Sequence, residues 1–101
     1  AMAGLGKAAR GKRRWIGIRI SPATDSRDSS IEIISVQLAD INWKMYDCKS
    51  DDLETLAIIR VALEDCDETI SRLNESKSIE TLTKSGKIRL VRERIGLNKT
   101  R

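Results

Sequence analysis

Leu56-Ala57-Ile58-Ile59-Arg60-Val61-Ala62-Leu63 is the most strand-like stretch of this chain. β-Branched residues favour a pleated, half-buried backbone, and the side-chain period of two sorts them onto two faces. Ala57, Ile59, Val61 and Leu63 fall on one face, Ile58 and Arg60 on the other. The first face is read as core and the Arg60 face as open.

Working upstream, Ser50-Asp51-Asp52 reads as a polar turn. Residues 42 to 49 alternate again, with Trp43 and Met45 on one side and Lys44, Tyr46 and Cys48 on the other. Before them, Ser29 and Glu32 have the capping-box spacing of a helix start. Ile31, Ile34, Leu38 and Ile41 then recur at helical intervals, which predicts an amphipathic helix of roughly three turns. Ser21 to Ser30 is a polar loop opened by Pro22. Arg14 to Ile20 alternates, with Ile16, Ile18 and Ile20 inward and Trp15, Gly17 and Arg19 outward.

Downstream, Asp65 and Glu68 repeat the capping spacing, and Cys66, Ile70 and Leu73 form the stripe of a second, shorter helix. Ser78 to Thr83 reads as a last strand. A turn at Ser85-Gly86 leads to Ile88, Val91 and Ile95, whose spacing predicts a short helix with a charged outer face. Extension of the last strand is the competing reading.

The predicted order is strand, helix, strand, strand, helix, strand. Two right-handed βαβ halves of this kind give an α+β ferredoxin-like sandwich. Its four-stranded antiparallel sheet carries two helices on one face, with the short basic helix at the C-terminus. Residues 1–13 are expected to be a flexible basic arm, 14–95 a single domain and 96–101 a basic tail. The open face then carries Trp15, Gly17, Arg19, Lys44, Tyr46 and Arg60.

Charge is segregated along the chain. Residues 1–20 carry Lys7, Arg10, Lys12, Arg13, Arg14 and Arg19 and no acid. From residue 84 onward Lys84, Lys87, Arg89, Arg92, Arg94, Lys99 and Arg101 face only Glu93. The middle is acidic, so the formal net charge is only +4. Clusters of Lys and Arg that release counterions from a polyanion make nucleic acid the leading partner class. Aromatic rings interleaved with cations suit a sheet that stacks bases and holds phosphates. Trp15 and Tyr46 are equally readable as the cover of a homodimer or partner interface.

Catalytic chemistry has no support. The chain has no His, and no Cys or Ser is set beside a base by local spacing. Cys48 and Cys66 lack CxxC spacing, so no zinc site is expected, nor any other cofactor. Asp51-Asp52 and Glu64-Asp65-Asp67-Glu68 read as a turn and a helix N-terminus, where acids complement the dipole. No apolar run reaches membrane-span length and no signal-peptide pattern is present, so the chain reads as cytoplasmic with free thiols.

Two segments carry a family resemblance. Lys12-Arg13-Arg14-Trp15-Ile16-Gly17-Ile18-Arg19-Ile20 looks like the basic-to-strand opening of the Pop-five-type subunits of archaeal and eukaryotic ribonuclease P, also called protein component 2. Ala57-Ile58-Ile59-Arg60-Val61, a helix, Ile79 to Leu82 and Lys84-Ser85-Gly86-Lys87-Ile88-Arg89 are similar to that family's later half. Lys87 stands where the family usually has Thr. The resemblance implies a non-catalytic subunit that binds the catalytic RNA and helps mature the 5′ end of precursor tRNA. It also implies a TIM-barrel-like protein partner. On this reading Lys12, Arg13, Arg14, Trp15, Arg19, Arg60, Lys84, Ser85, Gly86, Lys87, Arg89 and Arg92 contact RNA. Two rival classes remain: an ACT-like ligand-binding module, and an assembly subunit of another small complex.

Overall fold

The structure, a computed structural model, describes residues 12–97. The expected arm at residues 1–11 and the tail beyond Leu97 lie outside the described residues. In chain order the elements are β1 (Arg13–Ile20), α1 (Arg27–Gln37), β2 (Trp43–Ser50) and β3 (Thr55–Ala62). A single 3₁₀ turn (Leu63–Asp65), α2 (Cys66–Asn74), β4 (Ile79–Ser85) and α3 (Ile88–Ile95) complete it. The strands form one antiparallel sheet in the order β2-β3-β1-β4.

The opening stretch lies at the centre of this sheet. Ile59 of β3 faces Ile16 of β1 on one side and Met45 of β2 on the other. All three join Ile18, Ile20, Ala57 and Val61 in a core closed by Ile34 and Leu38 from the α1 side and Cys66 and Leu73 from α2. Both of these helices therefore cover the same face. Ile58 and Val91 are fully buried yet stand apart from that core, because they pack on the opposite face. There α3 sits over Gly17, whose missing side chain lets Val91 and Ile95 approach the strand. The face expected to be open is thus covered at its centre. The helical reading of Ile88, Val91 and Ile95 stands, and strand extension does not.

The remaining differences are local. α1 begins earlier than Ser29: Ser26 is its N-cap, and its hydroxyl accepts from the Ser29 amide at 3.2 Å. Starting there lets the fully buried Ser30 bond Thr24 Oγ1 at 2.7 Å. Ile41 lies beyond the helix but still packs on the core. Leu63 leaves the sheet for the 3₁₀ turn and is exposed. β1 gains Arg13, and β4 runs on through Lys84 and Ser85. A bulge at Tyr46 shifts the pairing of β2, so Asp47 rather than Tyr46 faces Ile58. Cys48 consequently turns to the helix face, where its thiol donates to Ser30 Oγ at 3.5 Å. Both cysteines are free. Among the described residues no helix is long and apolar enough to cross a membrane.

Candidate nucleic-acid interface

One row crosses all four strands. Lys44 of β2 faces Arg60 of β3, Arg60 faces Trp15 of β1, and Trp15 faces Ser85 of β4. Directly opposed residues share a face. Tyr46, displaced by the bulge, joins them: its ring meets Trp15 edge to face, with centroids 6.2 Å apart and planes at 77°. Lys44 Nζ lies 5.7 Å and Arg60 Cζ 5.3 Å from the Tyr46 centroid. Both distances are within the range of cation–π attraction, which holds two like charges on one ring.

The topology adds the rest. β1 begins where the antiparallel β4 ends, so two basic runs at opposite ends of the sequence meet at one end of the sheet. Lys12, Arg13 and Arg14 come from one run, and Lys84, Lys87 and Arg89 from the other. Arg14 lies against Gly86, its Nη1 only 3.1 Å from where a Cβ on that glycine would sit. The Ser85 hydroxyl accepts from the Lys87 amide at 3.2 Å and shapes the turn into α3. Lys84 has a loose, exposed contact with Asp67 at 3.6 Å. Among the described residues Lys12, Arg13, Arg14, Lys44, Arg60, Lys87 and Arg89 form no salt bridge.

Two predicted contacts are placed differently. Arg19 lies four residues along β1 from Trp15, about 13 Å at the usual strand rise. It is held there by Glu80, and by Glu54 at 3.7 Å. Arg92 is not left to reach phosphate: its Nε and Nη2 donate to the two carboxylate oxygens of Asp47 at 2.7 and 3.2 Å. That bond to Asp47 also raises the pKa of the guanidinium. Arg94 likewise turns back, donating to Thr83 Oγ1 at 3.0 Å and to the Lys84 carbonyl at 3.1 Å. These two arginines fasten α3 to β2 and β4.

Three of the clustered acids, Asp51, Asp67 and Glu68, have structural work. Asp51 Oδ1 accepts from the amides of Leu53 and Glu54 at 2.8 and 2.9 Å, and these bonds hold its carboxyl below the usual carboxylate range. Asp67 and Glu68 occupy the first turn of α2. Burial pushes the Cys66 thiol up, which suits a packed side chain rather than a nucleophile. Among the described residues no cluster of His, Cys, Asp and Glu is placed to hold a metal ion.

Lys44 and Tyr46 were legible as face residues, but their meeting with Arg60 on one ring depends on the bulge. Asn42 gave no signal, and Glu64 and Asp65 were legible only as part of a helix N-terminus. They line a shallow cleft of about 320 Å³ with Arg13, Trp43, Lys44 and Arg60 at the same end of the sheet. Comparison of the chain with protein-family models, with curated proteins and with solved structures finds no match.

Proposed function

We propose that the protein binds structured RNA with the end of the sheet where β1 and β2 begin, as a non-catalytic subunit of ribonuclease P. The observation that carries RNA binding is the convergence there of unpaired cations from both basic runs, beside the Lys44–Arg60–Trp15–Ser85 row. Phosphate neutralisation by such a cluster is independent of RNA sequence. The fold is read as ferredoxin-like: β1 and β2 run parallel with β3 between them, and β4 lies outside β1. The fold hosts many functions, so the assignment to ribonuclease P rests on the resemblance of Lys84-Ser85-Gly86-Lys87-Ile88-Arg89 and its preceding elements. In that reading the catalytic RNA and its Mg²⁺ perform the cleavage of precursor tRNA.

A protein partner, TIM-barrel-like or a second copy, is expected on a helical surface rather than as an added strand. Both sheet edges are blunted. Arg27 donates to the Met45 carbonyl at the β2 bulge at 2.9 Å, and Asn74 accepts from the Thr81 amide of β4 at 3.2 Å. Val36 of α1, 77% exposed, is available to such a contact.

The test is fluorescence anisotropy of a structured RNA against the full chain across salt. Log K is expected to fall with log salt by several units of slope, roughly 0.7 to 0.9 for each phosphate contact. Absence of binding at low salt, or salt-independent binding, sinks the RNA reading.

A further inference from the structure

We propose that the cleft at this end of the sheet receives one unpaired nucleotide of the bound RNA and selects guanine there. The inference rests on the RNA-binding reading and names what that site reads. At about 320 Å³ the cleft is at the lower end of small-ligand sites, room for a base but not for a duplex. Its lining mixes Arg13, Lys44 and Arg60 with the carboxylates of Glu64 and Asp65. None of these five charged groups forms a salt bridge within 4.0 Å among the described residues. Cations and carboxylates thus face one gap without closing it, and both remain available to a third party.

A bare phosphodiester does not account for that pairing, because the carboxylates repel it. A nucleotide does, since it joins an anionic phosphate to a base edge bearing N–H donors. Guanine presents two adjacent donors, N1–H and the N2 amino group, which match the bidentate reach of a carboxylate. Its O6 then accepts from an amide such as that of Asn42, on the same cleft wall. Adenine, cytosine and uracil each place a lone-pair acceptor beside their donor, and that acceptor meets the second carboxylate oxygen unfavourably. Trp43, half-buried against the core, closes the cleft on its apolar side. Lys44 and Arg60, held over Tyr46, fix positive charge at the rim for the phosphate.

Four RNA hairpins identical except for one bulged nucleotide, G, A, C or U, test this against the full chain at low salt, with an unbulged hairpin as reference. The bulged-G hairpin is expected to bind about tenfold tighter than the other three, the scale of one good bidentate readout. Glu64→Gln with Asp65→Asn is expected to erase that preference while the unbulged hairpin binds at least as tightly, because repulsion is relieved. Glu64→Gln alone, an exposed change ahead of α2, gives a second variant whose folding circular dichroism verifies. Equal binding of all four bulges by the wild type overturns the guanine site and leaves RNA binding standing. A uniform gain in affinity on removing the carboxylates, with the preference intact, assigns the selectivity elsewhere and also overturns it. Failure of every hairpin to bind at low salt removes the RNA reading itself.

Discussion

Val91 closes over Gly17: a Cβ built on the glycine stands 3.0 Å from Val91 Cγ1, and 3.0 Å from Ile95 Cγ2 as well. Gly17 is therefore the seat of α3 on the sheet, and its value lies in the absence of a side chain. Gly17→Ala forces two β-branched residues outward from a site where Val91 is fully buried. A loss of about 1–3 kcal/mol in denaturant unfolding is expected, the usual cost of overpacking. Hydrogen exchange should speed first in α3. An alanine variant as stable as the wild type means that Val91 and Ile95 yield to the added methyl without cost.

The two faces of β3 give a second prediction. Ile59 is fully buried among Ile16, Met45 and the helices, so Ile59→Ala is expected to cost about 2–5 kcal/mol. Arg60 is half-buried on the outer row with no carboxylate partner among the described residues. Arg60→Ala should leave stability nearly unchanged and weaken RNA binding. Thermal melts and anisotropy on the same two variants decide it, and reversed stability losses contradict the register.

How far the sequence discloses this arrangement depends on the range of the interaction. The stripe Ile88, Val91 and Ile95 and the alternation around Ile59 are local periodicities, and both elements form where those patterns place them. α1 starts earlier than the Ser29–Glu32 spacing predicts because Ser26, three residues before, supplies the capping hydroxyl and Ser30 bonds Thr24. The Tyr46 bulge interrupts no alternation in the sequence, so nothing local announces that Cys48 turns inward or that Asp47 faces Arg92. Arg92 and Asp47 are 45 positions apart, and a free cation cannot be told from a paired one before the sheet brings them together. The cleft is invisible for the same reason: Arg13, Asn42 and Arg60 come from segments joined only by strand pairing.

Acid should loosen the protein through two aspartates. Arg72 hydrogen-bonds Asp40, and the amides of Leu53 and Glu54 hold Asp51, so both carboxyls titrate lower folded than unfolded. Such groups contribute fully above the unfolded aspartate value of about 4, and the contribution is lost as pH falls through the lowered folded values. Melting temperature is expected to drop between about pH 5 and pH 2 in the wild type. In an Asp40→Asn, Asp51→Asn double variant the drop should be smaller, the two curves converging at low pH. Parallel curves would show that these carboxylates are not the sensors.

The basic face of α3 separates cations that bind from cations that hold the fold. Lys87 and Arg89 are exposed and make no salt bridge among the described residues, whereas Arg92 is clasped by Asp47. Replacing Lys87 or Arg89 with Ala is expected to cost no measurable stability and to reduce the salt slope of RNA binding by roughly 0.7 to 0.9 each. Arg92→Ala should do the opposite. The Arg92 side chain is 39% exposed and that of Asp47 23%, so solvent screens the pair and a loss of about 0.5–1 kcal/mol is expected with the salt slope unchanged. A double-mutant cycle with Asp47→Ala isolates that coupling. Charge reversal of Lys84, Lys87 and Arg89, leaving Arg92 in place, then tests the functional reading on a folded protein. Reconstituted processing of precursor tRNA, with catalytic RNA and partner subunits supplied, should fall sharply at moderate Mg²⁺ and recover in part at high Mg²⁺, since the added cation screens the same phosphates. Undiminished processing by that variant removes the ribonuclease P assignment, while its RNA affinity in the same buffer reports separately on whether this end of the sheet binds RNA at all.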